Sequence, residues 1–296
     1  MITWEHSVAL KEGQTLYLIP VGDVHYNVEA CDKERFLRLV EWIQRKEKDG
    51  DICRIIGMGD YTDFMSTSER AAIIGAKGGM GLHDTSLDAL DEFATTIANQ
   101  FISAVYPIRH TFIGLTEGHH FMKFLSGRTK WDDENGKSKK LFGMTSTEYI
   151  CMRLGCYYFG TVGYGKILLP HDQRVVIVAH HGGGGSRTIG SKVAQRQRFK
   201  ENFADADAVL MGHDHVKLAV PIQSFFFNPA AKDGVAVKKC YLIATGSFLK
   251  GYEVGQAHGS YIEEKYYNAV DLGVTMLTIR VEKDNKRWRT DIHASV

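Results

Sequence analysis

Histidines and aspartates follow the ends of several apolar runs in this chain, and they are the residues best suited to do chemistry. The clearest case is the aliphatic run 209–211, which ends at Gly212 and is followed by His213 and His215. An aliphatic run that ends in glycine predicts a strand followed by a tight loop. Two imidazoles one residue apart on such a loop can reach two different metal ions, although two solvated loop histidines would give the same pattern.

Four other apolar runs end in residues of the same kind. The pairs are Asp23 and His25 after 15–21, Asp60 and Asp63 after 55–58, His119 and His120 after 111–115, and His180 and His181 after 174–179. In an open parallel sheet, ligands bind at the carboxyl ends of the strands, so we expect these side chains to converge on one edge of a sheet. So many donors suit two ions rather than one, and a carboxylate such as Asp60 can bridge two ions about 3.5–4 Å apart.

The elements expected to position these loops alternate between strands and helices. Asp32 can cap a helix that runs to about Asp49, between the first two of these strands. A strand-helix-strand unit of this length predicts a parallel sheet with helices on its faces. Residues 66–106 predict two further helices with a glycine-rich break between them. The sequence contains neither repeats nor interdomain linkers, so we predict one α/β domain over 1–296 with an inserted cap region at 121–145.

Composition places the chain among ordinary globular proteins. The net charge is +1, and 44% of the residues are hydrophobic and 24% charged, so any phosphate-binding surface must be local. Five cysteines without a C-x-x-C pair favour a reducing compartment over a disulfide scaffold. No apolar run approaches the roughly 20 residues that cross a bilayer, and the N-terminus lacks a signal-peptide pattern. We therefore expect a soluble cytoplasmic protein that does not act at a membrane.

Two basic segments are candidates for binding an anionic substrate. The first covers 121–140, where lysines and arginines are interleaved with acidic residues, and its composition also fits a solvated surface loop. The second covers 187–200. We predict that Lys139 and Lys140 of the first segment and Arg187 of the second bind substrate.

Five motifs of the chain resemble the signature of the calcineurin-like metallophosphoesterases. They are, in the order of that family, Asp23-x-His25, Gly59-Asp60-x-x-Asp63, Gly118-x-His120, His180 and Gly212-His213-x-His215. The resemblance implies a β-sandwich flanked by helices that holds two metal ions and hydrolyses phosphate esters. It also implies two sets of ligands. One ion would be held by Asp23, His25, Asp60 and His215, and the other by the bridging Asp60, position 119, His180 and His213.

The third motif departs from the family, which has Gly-Asn-His where this chain has Gly118-His119-His120. If His119 is a ligand, an imidazole replaces an amide oxygen. That change favours manganese, iron, zinc or nickel over magnesium, and of these we expect manganese. If His119 turns away, the second ion is weakly held or absent. Of the pair after 174–179, we expect His180 to be the ligand and His181 to support it or to contact substrate.

A mechanism follows from this assignment. Two divalent ions lower the pKa of a bridging water, so that hydroxide attacks phosphorus in line, and they stabilise the charge on the phosphoryl oxygens. His120 would protonate the leaving oxygen as general acid, oriented by Asp63. A loop-capping carboxylate is the alternative for Asp63.

Motifs of individual subfamilies narrow the range of possible substrates. Phosphoprotein phosphatases of this family have arginine where this chain has Phe64, and Tyr61 does not stand in the sequence frame of the purple acid phosphatases. The basic segments favour a polyanionic substrate, so we predict a phosphodiesterase that acts on nucleic acid or nucleotides. The alternatives are a phosphomonoesterase of small metabolites and a non-catalytic metal-binding scaffold of the same fold. The complete set of ligand residues disfavours the scaffold.

Overall fold

The computed structural model describes residues 1–79, 82–132, 136–184, 188–229, 233–252, 263, 271–284 and 287–296. The strands are β1 (Ile2–Ser7), β2 (Leu16–Val21), β3 (Ile52–Gly57), β4 (Phe112–Thr116), β5 (Lys130–Asp132), β6 (Ser138–Lys140), β7 (Tyr157–Gly160), β8 (Val162–Leu169), β9 (Gln173–His180), β10 (Ala208–Met211), β11 (Lys217–Phe227), β12 (Val235–Ser247), β13 (Gly273–Val274), β14 (Met276–Asp284) and β15 (Arg287–Ser295). The helices are α1 (Lys33–Lys48), α2 (Thr67–Gly79), α3 (Asp84–Val105), α4 (Ser146–Leu154) and α5 (Ile189–Lys200), with a 3-10 helix at Tyr106–Thr111. None of the helices in this part of the chain combines the length and apolar composition that a membrane-spanning helix requires.

Two large sheets contain most of these strands. One has the order β1-β8-β9-β10-β12-β11, with β13 paired to β12, and the other has the order β15-β14-β2-β3-β4-β7. The predicted strand-helix-strand unit is present as β2-α1-β3, in which β2 and β3 are parallel. Asp32 caps α1 as expected, because its side chain accepts a hydrogen bond from the Arg35 N–H at 3.0 Å.

The two sheets pack face to face, and helices cover their outer faces. The inner faces contribute buried aliphatics such as Leu18 and Ile56 from one sheet and Ile177 and Leu210 from the other. The alternate residues of β2 and β3 point outward against α1, α3 and α4, while α5 packs on the outer face of the other sheet. The predicted α/β sandwich flanked by helices is therefore confirmed.

The segment predicted as a cap leaves and rejoins the body at one place. A bridge between Lys123 and Thr145 closes it. The buried carboxylate of Asp91 on α3 accepts hydrogen bonds at 2.9 Å from the N–H groups of Leu125 and Ser126 and from the Thr129 hydroxyl. These three bonds fasten the start of the segment to α3, and its β5-β6 hairpin is exposed.

Candidate metal centre

Loops from both sheets meet at the carboxyl ends of five strands. The loops after β2, β3 and β4 come from one sheet and those after β9 and β10 from the other. The sequence predicted convergence on the edge of one sheet, and the structure corrects this, because the site lies between two. The loop backbone is left-handed at the donor residues Asp23, His25, Asp60, His213 and His215, with φ of 49°, 47°, 50°, 67° and 55°. Left-handed backbone is uncommon outside glycine and clusters at functional sites.

The loops bring the candidate ligands together in two groups. In each group the ligand atoms lie within 4.8 Å of one another. One group contains Asp60, His119, His181 and His213, and the other contains Asp23, His25 and His215. In the first group the His119 and His213 Nδ1 atoms are 3.2 Å apart. In the second the Asp23 carboxylate lies 3.6 Å from His215 Nε2.

Several ligand-type atoms in these groups are buried without a hydrogen-bond partner. Among the described residues they are Asp23 Oδ1, both ring nitrogens of His25 and Nε2 of His181; of these, His25 Nδ1 and His181 Nε2 do lie within 3.4 Å of a carboxylate oxygen, on Asp63 and Asp60 respectively. A buried polar atom without a partner costs free energy, so a protein retains such atoms where something else satisfies them. Carboxylate oxygens and imidazole nitrogens are ligands of first-row transition metals. The orphaned atoms therefore fit bound cations.

Burial also keeps three of the candidate rings in the neutral form that binds metal, whereas the Asp60 carboxylate raises the pKa of His181 to about 9 against the effect of its burial. Burial lowers the pKa of His119 to about 4, with a further contribution from the charge of His181. Burial likewise lowers the pKa of His213 and, strongly, that of His215. Neutral imidazole is the ligand form, so these rings need lose no proton to bind an ion at neutral pH.

Hydrogen bonds on the far side of two rings fix their orientation. His181 Nδ1 donates to the Met58 carbonyl at 2.6 Å, which leaves Nε2 facing the Asp60 carboxylate at 3.0 Å. His215 Nδ1 lies 2.9 Å from the Ser247 hydroxyl. Such partners select one tautomer and aim the other ring nitrogen at a metal.

The structure corrects the expectation for the histidine pair after β9. His180 is the last residue of that strand and shares the outward direction of Val178, which packs with α5. Its Nδ1 accepts a hydrogen bond from the Gly182 N–H at 2.7 Å, and its ring centroid lies 5.2 Å from that of Phe199. Because side chains alternate along a strand, His181 turns inward and occupies the position expected for His180. His181 is buried, so it is not placed to contact substrate.

We predict that His181→Asn weakens Mn²⁺ binding by about tenfold or more, because it removes a ring nitrogen aimed into the site. His180→Asn is the matched control and should bind Mn²⁺ as the unaltered chain does. Metal content after equilibrium dialysis measures both. Loss of metal from the His180 variant alone would return the ligand role to His180.

A histidine-carboxylate pair adjoins the second group. His120 Nδ1 donates to Asp63 Oδ1 at 2.7 Å, and Asp63 Oδ2 lies 3.4 Å from His25 Nδ1. The hydrogen bond to Asp63 raises the pKa of His120. Burial opposes ionisation of Asp63, but the hydrogen bond from His120 and the nearby ring of His25 hold its pKa below its usual range. His120 is partly exposed, so this pair can present a protonated imidazole to a ligand in the site.

Glycine at position 118 allows the closest backbone approach in the site. The Asp60 Oδ1 atom accepts hydrogen bonds from the N–H groups of His119 at 2.6 Å and His120 at 2.9 Å. A Cβ atom at Gly118 would lie 2.1 Å from that oxygen. The glycine of this motif therefore lets two N–H groups hold the carboxylate in place.

A buried ion pair supports the loop between the two histidines after β10. The Arg196 guanidinium lies 2.6 Å from the Asp214 carboxylate and donates to the Ile243 and Met211 carbonyls at 3.1 and 3.2 Å. Lys192 Nζ donates to the Asp214 carbonyl at 3.1 Å. Arg196 belongs to the basic segment 187–200, but it is fully buried and points inward, so it does not meet substrate. The spacing of four residues between Lys192 and Arg196 was the available signal, since it places both on one helix face.

Replacing Asp214 by alanine should destabilise the protein by about 3 kcal/mol, because it leaves the Arg196 charge buried without an opposite charge beside it. Urea denaturation measures the free energy of unfolding. Asp284→Ala removes an exposed ion pair with Arg289 and should cost less than about 1 kcal/mol. Equal losses in the two variants would contradict a supporting role for the buried pair.

Two of the three lysine and arginine residues predicted to bind substrate lie among the described residues. Lys139 and Lys140 lie on β6 and are exposed. Arg187 lies outside the described residues. Tyr61, which follows Asp60, points into the core, where its hydroxyl donates to the Thr116 carbonyl at 3.0 Å.

Comparison with known proteins finds likeness only among solved structures. No protein-family model and no curated protein matches the sequence. Vacuolar protein sorting 29 from Cryptosporidium parvum is 9% identical, with 95% of this chain and 97% of that chain covered and a TM-score of 0.34. A predicted phosphoesterase from Streptococcus pneumoniae is 13% identical (94% and 88% covered, TM-score 0.29). The NAD nucleotidase of Haemophilus influenzae is 11% identical (94% and 49% covered, TM-score 0.34). Because these TM-scores are below 0.5, the function proposed below rests on the residues of the site.

Proposed function

We propose that this chain is a metal-dependent phosphoesterase of the calcineurin-like type, with two divalent ions as cofactors. The observation that carries the proposal is the convergence of carboxylate and imidazole donors from both sheets on one site, where the buried Asp23 Oδ1 and His25 Nε2 have no hydrogen-bond partner among the described residues. Buried donors of this kind are stable when cations satisfy them. Motifs that resemble one hydrolase family in order and spacing add to this support.

The ligand groups of the structure define the proposed sites. One ion would be held by Asp60, His119, His181 and His213, and the other by Asp23, His25 and His215, with Asp60 as the bridge. The imidazole-rich donor set favours manganese, and iron, zinc and nickel fit the same donors. Divalent ions at such a centre activate water at neutral pH and stabilise negative charge on a phosphoryl group.

The chain's own acid is His120. Its Nδ1 is held by Asp63, which leaves Nε2 to donate a proton to the oxygen that leaves phosphorus. Asp63 is a positioning residue, because it keeps the ring charged and oriented without reaching the reacting atoms. The alternative of a loop-capping Asp63 is less well supported, since its carboxylate faces two histidines.

For the substrate we propose a phosphodiester in nucleic acid or a nucleotide. The experiment is a panel of esters offered to the Mn²⁺-loaded full chain: an aryl phosphate monoester, a bis-aryl diester, cyclic nucleotides and an oligonucleotide. We expect the diesters to have the higher kcat/KM. A tenfold preference for the monoester would favour the phosphomonoesterase, and absence of turnover with ions bound would favour the non-catalytic scaffold.

Lys139→Ala combined with Lys140→Ala tests whether the 121–145 segment meets a polymeric substrate. The KM for an oligonucleotide should rise about fivefold at low salt, and the difference should shrink at high salt, because phosphate contacts by lysine are screened. Lys11→Ala with Lys48→Ala removes the same charge from exposed positions elsewhere and should have a smaller effect. An equal loss on a small ester would remove the proposed role.

Two further expectations stay predictions. The cytoplasmic location rests on the cysteine usage of the sequence. The division into one domain over 1–296 with a cap at 121–145 rests on the absence of linkers in the sequence and on the way the described part of that segment closes on itself.

A further inference from the structure

An open cleft of about 370 Å³ lies beside the metal centre, along α5. We call it the α5 cleft, and its walls include His180, Gly183, Gln195, Arg198, Phe199 and Asn202. Its volume is within the range of small-molecule binding sites. The cleft contains the histidine that the metal centre does not use.

The α5 cleft and the donor groups are separated by a single stretch of glycine backbone. A Cβ atom at Gly182 would lie 3.1 Å from the Cβ of His213, and one at Gly183 would lie 3.9 Å from Cε1 of His119. A ligand that reaches across this glycine backbone would place a phosphate at the donor groups and its remainder in the cleft.

The walls of the cleft offer aromatic faces and one cation. The rings of His180 and Phe199 pack against each other at an interplanar angle of 55°, with centroids 5.2 Å apart. Arg198 is exposed and belongs to the lining of the cleft. Aromatic rings beside a guanidinium favour a flat ring as ligand, through stacking and cation–π contact.

The cleft also offers hydrogen-bond acceptors. Gln195 Nε2 donates to the Gly183 carbonyl, and Asn202 Nδ2 donates to the Phe199 carbonyl at 3.2 Å. The side-chain oxygens of both residues can accept hydrogen bonds from the N–H groups of a ligand. An apolar chain would leave these oxygens and the Arg198 charge without a partner.

We propose that the α5 cleft binds the nucleobase of a nucleotide whose phosphate lies at the donor groups. A nucleobase combines a flat ring with N–H donors, as these walls require, and base stacking on aromatic side chains stabilises such complexes. The proposal deepens the phosphoesterase assignment and rests on it for the position of the phosphate. It assigns Arg198 and Phe199 as the residues that distinguish nucleotide esters from other phosphate esters.

The test compares two diesters with the same leaving group, thymidine 5′-(4-nitrophenyl) phosphate and methyl 4-nitrophenyl phosphate, with the Mn²⁺-loaded full chain. In Arg198→Ala and in Phe199→Leu we expect the ratio of the two kcat/KM values to fall about tenfold, since only the thymidine ester reaches the cleft. Lys200→Ala removes a cation from the same helix outside the cleft and should leave the ratio unchanged. A ratio within twofold of the unaltered chain in both cleft variants, or an equal fall in the Lys200 variant, would overturn the proposal.

A binding measurement separates this proposal from the proposed function. Calorimetry with thymidine 5′-monophosphate should show binding to the unaltered chain and binding about tenfold weaker in Arg198→Ala. If neither ester is hydrolysed, the phosphoesterase assignment fails, but calorimetry still tests whether the cleft binds a nucleobase. No binding, or equal binding by both proteins, would overturn the cleft proposal. Competition by a 12-nucleotide strand shows whether the nucleotide is taken free or from a strand end.

Discussion

Replacing Asp60 by alanine should remove both metal ions and reduce turnover to the uncatalysed background. Asp60 is the only carboxylate in the group with His119, His181 and His213, and it is proposed to bridge to the second ion. Its loss therefore lowers the negative charge and the number of ligands of both sites at once. Metal content by mass spectrometry and hydrolysis of a chromogenic diester are the two measurements.

The conservative variant keeps this test decisive if the alanine variant folds poorly. In Asp60→Asn the amide oxygen can still accept the N–H groups of His119 and His120, so the loop retains its hydrogen bonds. We expect this variant to hold at most one ion, because an amide is a weak bridge. Retention of two tightly bound ions by the asparagine variant would rule out bridging by Asp60.

Replacing His120 by asparagine should lower kcat by about 10²–10⁴-fold, the usual range for loss of a general acid, while the metal content is unchanged. His120 belongs to neither of the two proposed ligand groups, and its Nδ1 is occupied by Asp63. The loss should be largest for esters with a poorly departing alkoxide and smallest for 4-nitrophenyl esters, whose leaving group needs little protonation. Asp63→Asn should lower kcat in the same direction by a smaller factor.

Two results would contradict this role of His120. Loss of metal from the asparagine variant would show that His120 is a metal ligand. This is the specific alternative, because His120 lies in a group with His25 and Asp63 that could also hold an ion. An equal loss of kcat for good and poor leaving groups would show that no proton is delivered to the leaving oxygen.

The donor set was predictable because each member follows a strand that is recognisable by its aliphatic run. Asp60 follows β3 of one sheet and His213 follows β10 of the other, and the carboxyl ends of both strands meet at the site. Which strands share a sheet was not predictable. The strands β3 and β10 are buried on both faces, so their hydrophobic patterns carry no information about their partners.

The choice between His180 and His181 and the burial of Arg196 were missed for two physical reasons. Side chains alternate in direction along a strand, and a sequence does not show which charged side chains are buried. Neighbouring side chains on a strand point in opposite directions, so the exact end of β9 decides whether His180 or His181 faces the site. Strand ends are poorly marked in sequence. Arg196 looks like any solvated arginine, because its partner Asp214 comes from a loop 18 residues further along the chain. The strands β1 and β11 lie at sheet edges and contain polar or proline residues, so they are hard to recognise as strands from the sequence.

Titration of the metal-free full chain with Mn²⁺, followed by electron paramagnetic resonance, tests the central claim most directly. Bridged ions about 3.5–4 Å apart interact magnetically. The account predicts that two ions bind per chain and that the second replaces the six-line spectrum of an isolated ion with that of a coupled pair. Saturation at one ion, or two ions that keep isolated spectra, would contradict it.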